Sequence, residues 1–489
     1  MKYLPQSIAG LAFLGLFQGC EKKADLSSPN VVLIFMDDMG YGDLTCFGAP
    51  SGYRTPNIDR LAAGGLRFTQ FYSAQAVSTA SRAGLMTGCY PNRIGLVGAI
   101  NHTAKHGINQ NEMTMAELLK QKGYATGMVG KWHLGHHKQF LPLQNGFDDF
   151  LGLPYSNDMW PVRYEGYGYD PESAPVRPGD NPPLPLIDCN DTIRYLKTLT
   201  DQDQLTTLYT ERAISFIKKN QKAPFFLYFA HSMVHTPLAV SKKFQGKSKQ
   251  GRFGDVMMEV DWSVGEIMKT LDDLRLTSNT LVIFTSDNGP WLNFGAHAGN
   301  AGGLREGKGV SFEGGQKVPC IMRWPAVIPA GTVTGQLAST IDIFPTLASI
   351  TGTSMPVHII DGVDISPILR GDFECAPRVN FYYYYNSNSL EGVRIGTWKL
   401  VLPHTYRSYV GVLPRDDGKP GPYAKDSCGE LLFDLRRDPG EQYDVKEMYP
   451  DILLKLHKLA DEARLDLGDD LTGAPGANRR PPGKLVGTN

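Results

Sequence analysis

Hydrophobic positions in this chain fall into short unbroken runs, separated by segments with helical spacing. Residues 31–36, 125–130, 225–230 and 280–285 are apolar without alternation, as expected of strands buried on both faces. Between them, residues 55–61 open on Thr55-Pro56, an N-cap and first-turn pair, and 114–122 is stopped by Gly123. Residues 202–220 and 255–274 carry amphipathic helical spacing, and 318–324 predicts one more strand. Strands alternating with helices predict an α/β domain, a mostly parallel sheet with helices on both faces. After Gly352 the pattern changes. A β-rich aromatic run at 379–385, short strands at 393–395, 398–401 and 431–434, and a helix over 451–467 predict a smaller C-terminal α+β lobe with an antiparallel sheet. The Pro-rich stretch 171–185 reads as a surface excursion outside the sheet, and the tail from 472 as loose.

In doubly wound sheets, ligands bind beyond the carboxyl ends of the strands. Each of the four apolar runs empties there into a polar cluster: Asp37-Asp38, Lys131-Trp132-His133, His231 with His235, and Ser286-Asp287-Asn288-Gly289. An aspartate at a strand end is often only a terminator, and Lys131 with His133 also reads as a surface lysine and a packed histidine. Four clusters on one edge of one sheet are what an active site produces. Asp37, Asp38, Asp287 and Asn288 make an all-oxygen set, suited to a hard cation such as Ca2+ or Mg2+. The stretch Val77-Ser78-Thr79-Ala80-Ser81-Arg82 adds a hydroxyl at the start of a short helix and an arginine one turn on. Orphan backbone N–H groups at such a point favour an anion. Taken alone, the stretch also reads as an ordinary N-cap followed by a solvated arginine.

Ser78-Thr79-Ala80-Ser81-Arg82, continued by Leu85-Met86-Thr87-Gly88, resembles the signature of the type I sulfatases, Cys/Ser-x-Pro/Ala-Ser-Arg and then Leu-x-Thr-Gly. Gly130-Lys131-Trp132-His133-Leu134-Gly135, Val234-His235-Thr236-Pro237-Leu238 and Leu304-Arg305-Glu306-Gly307-Lys308 resemble further motifs of that family. So does Glu313-Gly314-Gly315-Gln316-Lys317-Val318-Pro319, with Lys317 where arginine is common; the likeness spans about residues 29–465. It implies an alkaline-phosphatase-like fold and hydrolysis of sulfate esters. Ser78 would be oxidised to Cα-formylglycine by a radical-SAM maturing enzyme, and its hydrate would attack sulfur. One Ca2+ would be held by Asp37, Asp38, Asp287, Asn288 and residue 78. Arg82, Lys131 and Lys308 would balance the sulfate charge, and Asp287 would accept the proton of the attacking hydroxyl. His235 or Lys308 would protonate the leaving group, and His133 would take the proton that frees sulfate. His231 maps onto no catalytic position.

Residues 44–48 and 140–147 resemble the arylsulfatase A and N-acetylgalactosamine-6-sulfatase branch of the family. This implies exo action on a sulfated galactose or N-acetylgalactosamine residue of a glycan, with His102, His404 and Arg407 as sugar contacts. A phosphatase or phosphodiesterase on the same scaffold is the alternative. Such enzymes usually hold two zinc ions with several histidines, often with an Asp-His pair where this chain has Asp287-Asn288. A binding protein on a decayed scaffold would lack catalytic positions that are filled here.

With 49 basic and 50 acidic residues the net charge is −1, so no overall field drives the chain to nucleic acid or a membrane surface. Lys2, the apolar run 8–17 and Gly19-Cys20 read as a signal peptide ending at an acylated cysteine, Cys20. That predicts export, with a lipid anchor in the periplasm or at the surface of a Gram-negative bacterium. Phe17 and Gln18 depart from the usual residues there, which leaves simple secretion or an N-terminal core helix open. The other six cysteines are scattered, so no essential bridge and no zinc site are expected. The expected organisation is a signal segment over 1–20, a catalytic domain over 29–375, a C-terminal subdomain over 376–468 and a tail over 469–489.

Overall fold

The structure, a computed structural model, describes residues 28–49, 52–163, 167–168, 180–415 and 418–485; the expected signal segment over 1–20, with Cys20, lies outside them. Among the described residues the main sheet has ten strands. They are β1 (Asn30–Met36), β2 (Leu66–Phe68), β3 (Ala125–Lys131), β4 (Asp149–Leu153), β5 (Leu184–Asp188), β6 (Asp191–Leu196), β7 (Phe225–Ala230), β8 (Thr280–Ser286), β9 (Cys320–Arg323) and β10 (Thr332–Thr334). Their order across the sheet is β6-β5-β4-β3-β7-β1-β8-β9-β2-β10. The central five, β4, β3, β7, β1 and β8, run parallel. The predicted strand at 318–324 is β9, and it runs antiparallel to β8.

All seven residues of β1 are buried. Strand alternation sends Val31, Leu33 and Phe35 into one core and Val32, Ile34 and Met36 into the other. The first core is covered by α2 (Ser78–Thr87), α3 (Met115–Lys120) and α6 (Ile343–Thr351); the second by α1 (Pro56–Ala63), α4 (Leu205–Asn220) and α5 (Gly251–Asp273). Each fully buried aliphatic or aromatic side chain contributes about 1.5–3 kcal/mol. The centre of the sheet is therefore a rigid platform, and its carboxyl edge presents fixed groups. Pro185, expected outside the sheet, lies within β5, where it pairs with Tyr195 of the edge hairpin. A missing N–H is tolerated at such an edge.

The C-terminal lobe has an antiparallel sheet of β11 (Asn380–Tyr385), β12 (Ser389–Ile395), β13 (Trp398–Val401) and β16 (Leu431–Asp434). Helix α7 (Pro450–Leu467) packs on it, and β14 (His404–Ser408) and β15 (Ala424–Cys428) form a separate hairpin. Tyr72, Ala74 and Ile341 of the large domain share one core with Phe381, Tyr383 and Leu456 of this lobe. The tail is not loose where it is described. Arg480 forks onto buried Glu112 at 2.6 and 2.9 Å, and residues 483–484 pair with 106–107. A bidentate guanidinium on a buried carboxylate fixes a segment whose composition alone reads as coil. No helix among the described residues is long and apolar enough to cross a membrane, and the six described cysteines are free thiols.

Candidate active site

The register of β3, β7, β1 and β8 aligns Gly130 with Ala230, Ala230 with Phe35 and Phe35 with Thr285. The residues that follow, Lys131 and His133, His235, Asp37 and Asp38, and Asp287 and Asn288, therefore meet at one edge. Helix α2 points its first residue into the same place. Ser78 Oγ donates to Asp287 Oδ2 at 2.8 Å and lies 3.2 Å from Asp37 Oδ1 and 3.1 Å from Lys131 Nζ. Four residues later on that helix, Arg82 donates through Nε and Nη2 to Asp287 Oδ2 (3.2 and 2.9 Å) and through Nη1 to the Lys131 carbonyl (3.1 Å). Both side chains are buried, so the arginine is a fixed part of the site.

The charges hold one another in place. Burial alone would push the Asp37 carboxyl up, but Lys131, His235 and Arg82 together hold it below its usual value. Burial lowers Lys131, whose ammonium donates to Asp37 Oδ2 (2.5 Å) and stands 3.1 Å from both Ser78 Oγ and Ser156 Oγ. Lys308 is buried as well, yet its contact with Asp38 at 2.8 Å raises it. His235 Nε2 lies 3.6 Å from Asp38. His133 is held neutral, mainly by burial and then by Lys131. Its Nε2 sits 2.8 Å from the Ile100 carbonyl, which can only accept, so Nε2 carries the proton. Nδ1 is then a lone pair, buried and without a partner, which is a base waiting for a proton. Asp38 and His133 both have left-handed backbone, φ 57° and 62°, a conformation that non-glycine residues seldom hold without a local demand.

The donor set fits a hard cation. Oxygens of Asp37 and Asp287 share Ser78 Oγ, and Asn288 spends its amide nitrogen on Asp38 Oδ1 (2.7 Å) while its Oδ1 is buried with no partner. Ligand atoms of Asp37, Asp38 and His235 lie within 4.8 Å of one another. Each of the expected catalytic and metal positions is therefore brought to one spot.

The three expected sugar contacts divide. Arg407 of β14 reaches the site's edge and donates to the Lys308 carbonyl at 2.9 Å. His102 is half-buried, its ring 6.4 Å from that of Tyr155. His404 does not face the cleft. Its side chain is 1% exposed, 3.4 Å from Glu391, and its Nδ1 bonds the Leu402 carbonyl. Strand parity explains this: His404 and Arg407 are an odd number apart, so β14 sends them to opposite faces. His231 packs against Phe229 with its ring 4.3 Å away and is a core residue. Three residues were missed. Ser156 meets Lys131, Asp158 bears electrostatically on His235, Lys308 and Lys131, and Trp291 places its ring 5.3 Å from His235. Ser156 follows β4, and the strand-end rule finds it once residues 149–153 are read as a strand.

Comparison with known proteins agrees with this geometry. The Sulfatase family model matches residues 29–353, and models for the C-terminal region of aryl-sulfatase and the N-sulphoglucosamine sulphohydrolase C-terminus match 377–476 and 307–410. The chain is 39% identical to arylsulfatase A of Bos taurus over 89% of its length and 88% of that protein. It is 38% identical to N-acetylgalactosamine-6-sulfatase of Canis lupus familiaris over 85% and 81%. Among solved structures, the PsFucS1 sulfatase from Pseudoalteromonas superposes with a TM-score of 0.79 at 28% identity, covering 92% of both chains. The chain belongs to the sulfatase family and is a sulfuric ester hydrolase.

Proposed function

We propose that the chain is an exported, formylglycine-dependent sulfatase acting exo on a sulfated galactose or N-acetylgalactosamine residue of a glycan. Residue 78 would be matured by a radical-SAM enzyme, and Cys20 would carry a lipid anchor. Asp37, Asp38, Asp287, Asn288 and residue 78 would hold one Ca2+, which when bound supplies a Lewis acid for sulfate oxygens. The observation that carries the reading is the setting of Ser78. Its Oγ touches two carboxylates and an ammonium, with the orphaned Asn288 oxygen in the same cluster.

A plain serine sulfated on its hydroxyl would have no neighbouring hydroxyl to expel the sulfate, so turnover calls for two oxygens on the β-carbon. Arg82, Lys131 and Lys308 are fixed before substrate arrives, so they stabilise charge on the sulfate oxygens without reorganising. Asp287 Oδ2 already accepts from Ser78 Oγ and is placed to take the proton of an attacking hydroxyl. Lys308 or His235, both beside Asp38, would protonate the departing sugar oxygen. His133 Nδ1 accepts the proton whose removal frees sulfate.

The name of the N-acetylgalactosamine-6-sulfatase relative favours the galactose-type substrate. Enzyme isolated from its own host should yield a residue-78 peptide lighter by two hydrogens than the serine form, and should hydrolyse sulfated aryl esters. An unaltered serine in a preparation that still turns over sulfate esters would overturn the formylglycine reading. Turnover of none of a panel of mono-sulfated galactose and N-acetylgalactosamine isomers would overturn the substrate.

A further inference from the structure

A cavity of about 440 Å3 opens in the small lobe beside the site, lined among others by Gly309, Tyr385, Glu391, Arg407, Tyr423 and Lys425. Its size is within the range of small-ligand sites, about 300–1,000 Å3. None of the sulfate-handling side chains lines it, yet Lys308 joins the two spaces. The Lys308 ammonium rests on Asp38, while its carbonyl accepts from Arg407 Nη2 at 2.9 Å and from the Tyr409 hydroxyl at 2.6 Å. On the rim, Trp291 lies 4.3 Å from that ammonium and donates through its indole N–H to the Tyr423 hydroxyl. One wall therefore runs from His235, on the leaving-group side, into the cavity.

The cavity's chemistry is built for a polar ring. The Arg407 guanidinium lies over the Tyr423 ring at 4.8 Å, and its Nε is buried without a partner. Glu391, 2% exposed, also lines the cavity, with one carboxyl oxygen set against His404 Nε2 at 3.4 Å. Gly309 makes room for this arrangement, since a Cβ there would lie 1.5 Å from Arg407 Nη2. Lys425 stands exposed at the mouth, so two cations face the entering group. An unpaired buried donor is costly until a ligand meets it.

We propose that this cavity is a second sugar subsite, which takes the ring next to the sulfated residue and prefers one bearing a carboxylate or sulfate. The proposal rests on the sulfated-glycan reading above and names a further part of its substrate. Calorimetric titration of the full chain with Ca2+, Ser78 left unmodified, compares N-acetylgalactosamine 6-sulfate with a disaccharide in which that sugar is the non-reducing ring and a uronate the second. The disaccharide should bind about tenfold tighter. Thr405→Trp, which fills the cavity from an exposed strand position, and Lys425→Ala should each remove that gain and leave the monosaccharide unchanged. Equal binding of the two sugars, or equal weakening of both by the variants, would overturn the subsite. Binding of neither would overturn the galactose-type reading beneath it.

Discussion

Two of the buried charge clusters among the described residues differ in what their leftover polar atoms face. At the carboxyl edge of the sheet, Asp37, Asp38 and Asp287 face Arg82, Lys131 and Lys308, and both Asn288 Oδ1 and His133 Nδ1 remain without partners. At the seam between the lobes, Glu313 and Glu441 face Lys399, which lies 3.3 and 2.7 Å from them and donates to the Ser311 carbonyl at 2.9 Å. Glu313 also accepts from Tyr72 and Tyr383 at 2.5 and 2.9 Å, and Glu441 from the Glu313 N–H at 2.7 Å. Backbone strain does not separate them, because Asp38 and Glu441 both sit at positive φ, 57° and 55°. What the leftover atom faces does: at the seam Glu441 Oε1 makes no hydrogen bond but lies 2.7 Å from the Lys399 ammonium, whereas Asn288 Oδ1 and His133 Nδ1 have no partner. Charge closed on charge ties two lobes together, whereas unanswered atoms wait for a ligand.

Two substitutions break the comparison most directly. Lys131→Met should lower kcat/KM on an aryl sulfate by about 10^3-fold, the cost of losing one fixed donor to developing charge. Asp37 would keep Arg82 at 3.5 Å, so the urea midpoint should move little. Lys399→Met should do the reverse. It strands two buried carboxylates and should cost about 3–5 kcal/mol in urea unfolding, while the folded enzyme keeps its kcat. A seam variant that is stable but inactive, or a site variant that unfolds without losing rate, would erase the distinction.

The site was legible in the sequence because one rule covers it. Apolar runs without alternation mark the parallel strands, and a parallel sheet delivers whatever follows them to one edge. Ser156 escaped only because residues 149–153 were not read as a strand. His404 failed for a different reason: a motif-like string, His404-Thr405-Tyr406-Arg407, mixes two faces of a strand, and only parity tells them apart. The seam could not be read at all. Glu313 is 86 residues from Lys399 and 128 from Glu441, and nothing local marks three charges that meet only when two lobes close. The tail escaped similarly, since Arg480 and Glu112 are 368 residues apart.

The most gradual expected effect lies in the small lobe, at Glu391. Burial pushes its carboxyl up to about 8, against the opposing pull of Lys399, and Asp469 adds to the rise. Burial lowers the neighbouring His404, so both partners are pushed towards their neutral forms. The folded protein keeps a proton that the unfolded chain releases above about pH 4.3. The stability from this group is fully present below that value and is lost as pH rises through about 8, with a slope of up to about 1.4 kcal/mol per pH unit. Glu391→Gln has no proton to lose there. Its melting midpoint should therefore gain on that of the unsubstituted protein steadily between about pH 5 and 8. Melting curves recorded across that range decide it. Parallel pH profiles would mean that Glu391 is ionised when folded, and the lobe would then hold a charge that His404 must answer as an imidazolium.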